Sequence, residues 1–199
     1  EIRPRDWSSD VCSSDLMERH PQASQPVSAP EGLTQARFGS GLVPVEHRVE
    51  TPATPLFSYP YARSRDAVLA MRGAGVPHPC HGYKLQYVNP ATGGYPMPTI
   101  GAFIQLLPAG FEGVQYRATD ATVCCAVEGR GRTHVGDACL EWQPRDVFVL
   151  PSWAPVRHEA DGDAILFSFS DRPVHKALGI WREAAPEMQQ APHAGRRTP

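Results

Sequence analysis

Between Ile100 and Ser170 the chain is a succession of short apolar runs: AFIQLL (102–107), TVCCAV (122–127), RTHV (132–135), DVFVL (146–150) and AILFSF (164–169). Each is too short for an ordinary helix, and turn-forming residues separate them. In the last run Ile165, Phe167 and Phe169 share one face while Leu166 and Ser168 share the other, because side chains alternate along a strand. Short strands spaced by roughly 8–15 residues predict an all-β fold, an antiparallel sandwich or small barrel. The 21 prolines and 17 glycines point the same way, since they favour turns over long helices.

Around this region the chain changes character. Residues 1–16 hold two Ser-Ser-Asp repeats and no apolar period, and Asp6–Leu16 back-translates without a mismatch to a standard sequencing-library adapter. They read as an assembly artefact, which makes Cys12 meaningless and places the natural start of the protein further upstream. Residues 17–50 are rich in Pro, Ser and Gln and read as a largely disordered linker. Residues 51–98 carry a short helix that Ser64 caps, with Val68, Leu69 and Met71 in period over 65–72 and Gly73 at its end. A strand and a turn on Asn89-Pro90 and Gly93-Gly94 follow. The barrel is expected over 99–172, a short helix over 173–183 and a disordered tail over 184–199.

A net charge of −2 and a pI near 6.5 imply no basic face, so nucleic acid and membrane are not expected partners. No apolar run reaches the roughly 18–20 residues of a spanning helix and no secretory leader is legible, which makes the cytoplasm the default. The five cysteines form no CxxC pair; Cys124 and Cys125, adjacent on a strand, point to opposite faces. Buried thiols are the expectation. His78, Cys80 and His81 sit in a loop and read weakly as a metal cluster, and Asp161 and Asp163 read as a solvated turn. No phosphate loop, nucleophile elbow or HExxH stands in the chain.

The spacing of the β region fits a frame that cupin barrels use for metal, G-x5-H-x-H-x3-E-x6-G followed by G-x5-P-x-G-x2-H-x3-N. On a strand H-x-H turns two imidazoles to one side, and a third arrives from the second motif. Such neutral imidazoles hold Fe or Mn and leave positions open for substrate and O2. Here Gly110, Gly129 and Pro151 keep the frame, yet the ligand positions read Tyr116, Ala118, Thr122 and Val156, with Ala160 at the asparagine and Arg145 and Trp153 at two glycines. A degenerate metal site is the expectation. His158, two residues after Val156, shares its inward face and is a weak candidate ligand with His134 on another strand and Gln115 or Tyr116 as company. A hydrogen-bonded barrel histidine is the simpler reading.

FSYPYARSRD, YKLQYVNPATGGYPMPTIGAFIQLL, YRATDATVCCAVEGRGRTHVGD and LEWQPRDVFVLPSWAPVRHEADGDAILFSFSDRPV together resemble the C-terminal half of the gentisate 1,2-dioxygenase family, from about Phe38 to Glu183. The resemblance implies a bicupin, assembled as a homo-oligomer, usually a tetramer. Such enzymes open the ring of gentisate, a small aromatic acid, with O2 to give maleylpyruvate. It implies Fe(II) on three histidines of an N-terminal barrel outside this chain, where the ion would bind substrate and O2 side by side. On the family's P-x-W-x-W-H-D-H motif the iron histidine falls on Val156 and the non-liganding one on His158. No catalytic or metal residue and no cofactor carries onto this chain, and the barrel is expected to be structural. Relatives acting on salicylate or 1-hydroxy-2-naphthoate share the architecture. A non-catalytic cupin binding a small acid is the alternative, with Arg117, His134 and His158 as its polar lining.

Overall fold

The computed structural model describes residues 30, 32–43, 45–46, 48–49 and 52–185. The segment read as artefact, half of the segment read as linker and the tail beyond 185 lie outside them. The chain divides between Leu33 and Thr34, and apart from Leu33, the first residue of a short helix, all that follows concerns the part beyond that division. Its elements are α1 (Leu33–Phe38), α2 (Tyr61–Ala70) with a 3-10 turn (Met71–Gly73), eleven strands and α3 (Arg172–Ala177). The strands are β1 (Tyr83–Gln86), β2 (Gly101–Leu107), β3 (Phe111–Glu112), β4 (Arg117–Ala118), β5 (Thr122–Glu128) and β6 (Gly131–Val135). They continue with β7 (Ala138–Trp142), β8 (Val147–Leu150), β9 (Val156–Ala160), β10 (Ala164–Ser170) and β11 (Glu183–Ala184).

The β-strands form a five-stranded sheet, β1-β2-β10-β5-β8, a four-stranded sheet, β3-β9-β6-β7, and the pair β11-β4. All pairings are antiparallel. This is the expected all-β cupin barrel with short flanking helices. Leu107, Phe111, Ala126, Trp142, Ala160 and Leu166, drawn from both sheets, pack into one buried cluster between them. The outward face of β1, β2 and β10 is apolar too, because α2 lies on it: Val68 meets Tyr83, Ile104, Leu106 and Ile165. That double burial explains why β2 reads as a nearly unbroken hydrophobic run.

Several boundaries differ from the sequence reading. α2 begins at Tyr61 after Pro60, with no side-chain cap, and Ser64 lies inside it with Oγ 3.4 Å from the Pro60 carbonyl. Proline's fixed φ starts the helix without a capping oxygen. The sheet starts upstream of 99, since Tyr83–Gln86 pair with Phe103–Leu106. α1 falls inside the stretch read as linker. α3 ends at Ala177, and the chain then crosses to β4 as β11, so 184 opens no tail: Ala184 is paired and Ala185 is buried.

Candidate functional site

The four glycine positions of the metal-binding frame keep a glycine-like backbone. Gly110 and Gly129 have φ of 71° and 77°, while Arg145 and Trp153 stand at 82° and 61° without being glycine. They are the only non-glycine residues with positive φ among those described. The turns that would aim ligands inward are therefore present, and the four ligand positions do converge. Tyr116 bridges Val156 across the strands through both backbone hydrogen bonds, 2.9 and 2.8 Å. Ala118 and Thr122 border the same small cavity, about 10 Å³, together with Lys84, Asp120 and Arg172.

What they present is not a ligand set. Tyr116 fills the space, 5% exposed and packed with Cys80, Cys124, Leu150 and Val156. Its hydroxyl lies 3.4 Å from His158 Nε2, and His158 Nδ1 lies 2.9 Å from Thr133 Oγ1, which also accepts the Trp142 indole N–H at 2.9 Å. Both imidazole nitrogens are thus engaged. Burial, aided by the charges of Lys84 and His81, lowers the His158 pKa to about 3, so the ring is neutral at ordinary pH. Among the described residues no three His, Cys, Asp or Glu side chains are grouped to hold a metal ion. A tyrosine, an alanine, a threonine and a valine do not fit the iron that a cupin oxygenase carries.

Of the residues expected to line the barrel, only His158 faces its interior. His134 follows the inward Thr133 on β6 and therefore points outward, with Nε2 3.2 Å from Glu159 Oε1. Arg117 is exposed on β4. The structure thus corrects the grouping of Arg117, His134 and His158: they do not meet. The HPCH loop does reach the barrel, but without converging on a metal. His81 stacks on His78 with centroids 4.8 Å apart, sets its edge against Tyr116 at 4.4 Å and points Nε2 at Glu183 Oε1, 3.4 Å away. Burial lowers its pKa to about 4, against the opposing pull of Glu183.

A charged network under β11 went unread in the sequence. Arg172 Nε lies 3.1 Å from Asp120 Oδ2 and its Nη2 lies 3.8 Å from Glu183 Oε2, while Trp181 donates its indole N–H to Asp120 Oδ1 at 2.9 Å. Burial works against the Asp120 carboxylate, but Arg172 and Trp181 hold its pKa below the usual range. Arg172 and Lys84 both lie over the Phe103 ring, 5.1 and 5.0 Å from its centroid. These partners are far apart in the chain, so no local spacing announces them.

Fold and site together define a cupin-type barrel whose metal positions carry no metal-ligand side chains. Its homologues give the family: the chain is 49% identical over 160 residues to gentisate 1,2-dioxygenase 1 of Aquipseudomonas alcaligenes, covering 80% of this chain and 46% of that relative. It is 35% identical to a gentisate 1,2-dioxygenase of Haloferax sp, over 85% of this chain and 49% of the relative. Among solved structures, salicylate 1,2-dioxygenase from Pseudaminobacter salicylatoxidans superposes with a TM-score of 0.74 at 28% identity, over 83% of this chain and 49% of that one. No family model matches the chain. The chain is thus a homologue of gentisate 1,2-dioxygenases that spans about half the length of the curated relatives it matches.

Proposed function

We propose that this barrel is the non-catalytic, C-terminal half of a ring-cleaving dioxygenase that opens gentisate with O2 to maleylpyruvate in the cytoplasm. Iron and catalytic histidines would belong to a second barrel of the parent enzyme. The observation that carries the reading is the filled centre: Tyr116 occupies the space where ligands should converge and His158 is held between Tyr116 and Thr133. Gentisate is preferred to salicylate because the 49% relative is named for it, whereas the salicylate enzyme stands at 28% identity. A barrel that binds a small acid by itself is disfavoured, since a cavity of about 10 Å³ admits little more than one water.

The barrel would then serve assembly. The outer sheet face beyond α2 leaves Val147, Val149 and Phe169 exposed by 64%, 52% and 41%, an apolar surface of the kind that partners cover. The 199-residue chain should retain no stoichiometric iron after dialysis against chelator and consume no O2 with gentisate. Tightly held iron, or turnover by the chain alone, would overturn the proposal.

A further inference from the structure

The cavity bounded by Tyr116, Ala118, Thr122 and Val156 has one further occupant. Lys84 alternates on β1 with Tyr83 and Leu85, which pack outward under α2, so its side chain runs inward and reaches the cavity. The chain uses arginine for all but two of its 19 basic residues; the lysines are Lys84 and Lys176. Lysine differs from arginine in carrying a compact point charge on a flexible stem. Among the described residues the Lys84 ammonium makes no hydrogen bond and no ion pair, because Arg172 takes Asp120 and Glu183. Its neighbours are the face of Phe103 and, at longer range, those two carboxylates.

We infer that the Lys84 ammonium is the barrel's own resident cation, standing in the cavity of the four lost ligand positions and closing it to a metal ion. Burial and the neighbouring Arg172 charge lower the Lys84 pKa, while the negative face of Phe103 and the carboxylates of Asp120 and Glu183 act the other way and support an ammonium there. The room left, about 10 Å³, suits one water beside the ammonium and not a second cation with its ligands at roughly 2.0–2.2 Å. Where the frame calls for histidines and a bound cation, this chain then carries a tethered one. This inference rests on the reading that the ligand set is lost.

The test restores the ligands. Tyr116→His, Ala118→His and Val156→His are combined, with and without Lys84→Ala, and Mn(II) binding is measured by titration calorimetry. The variant lacking Lys84 should bind Mn(II) at least about 10-fold more tightly. Equal affinities would overturn the inference while leaving the degenerate-site reading intact. The unaltered chain gives a second measurement, free of any folding defect in the variants. With 13Cε-lysine it has two side-chain signals, and a neutral soluble nitroxide should broaden that of exposed Lys176 and spare that of Lys84. Equal broadening would place the ammonium outside the cavity and overturn the inference. Equimolar Mn(II) should also leave the Lys84 signal sharp; its selective loss would show metal entering the natural cavity and would overturn both readings.

Discussion

The two ends of the barrel are built on different principles. Around Trp142 the sheets meet through Leu107, Phe111, Ala126 and Leu166, apolar side chains that interdigitate. Around Tyr116 lie the buried His81, His158 and Asp120 with the half-buried Lys84 and Arg172, a polar interior in which most groups are paired. The first end is held by packing and the second by hydrogen bonds and charge. Such a barrel keeps its shape when the first end packs tightly and the second is filled by its own side chains. The Trp142 indole links them, since it packs at one end and donates to Thr133, which fixes His158 at the other.

Removing that link should have the largest effect. Trp142 is 3% exposed and stacks on Phe148 with centroids 6.2 Å apart. Trp142→Ala deletes a large buried side chain and leaves Thr133 Oγ1 short of a donor, for a loss of roughly 3–5 kcal/mol in denaturant unfolding. A loss below about 1 kcal/mol would show that the polar end holds the barrel.

Acid should separate the ends next. In the unfolded chain His81 and His158 take up a proton near the ordinary histidine pKa of about 6.5. Folded, they do so only near about 4 and about 3. The unfolded state therefore binds more protons as pH falls from 6.5, and stability present above that value declines until each folded pKa is reached. Between pH 6.5 and 5.5 the decline should be roughly 1 kcal/mol per histidine. Thermal melts across this range would show it, and His158→Gln should remove about half the slope. An unchanged slope would mean that His158 is not held neutral.

The comparison also explains what could be read from the sequence. The apolar end was legible, because alternation in β5 and β10 and the unbroken run of β2 encode which sheet face is buried. The spacing of Gly110, Gly129 and Pro151 located the site, and Tyr116, Ala118, Thr122 and Val156 do meet there. The polar end was legible only where it touched that frame. Lys84, Asp120, Arg172 and Glu183 come from four distant segments, and their meeting depends on β1 joining the sheet edge and β11 crossing back over β4. His134 was misplaced for a simpler reason: Thr133, not His134, takes the inward position opposite His158 in the register of β6 with β9.

The smallest expected effect tests how much of the old frame persists. Arg145 and Trp153 hold left-handed backbone at positions where the frame has glycine. An L-residue in that conformation costs about 1–2 kcal/mol, which glycine avoids. Glycine loses more backbone freedom on folding, at roughly 0.5–1 kcal/mol. Arg145 is the cleaner position, since it is exposed, while the half-exposed Trp153 also offers ring area to its surroundings. Arg145→Gly should therefore raise stability slightly, by up to about 1 kcal/mol, seen as an increase of roughly 2–4 °C in Tm. Arg145→Ala, which keeps the Cβ and removes the charge, should give none of that gain. If both substitutions stabilise equally, the benefit comes from the lost charge and the turn carries no strain. If only glycine does, the turn carries the left-handed backbone strain that a glycine at this position of the frame relieves.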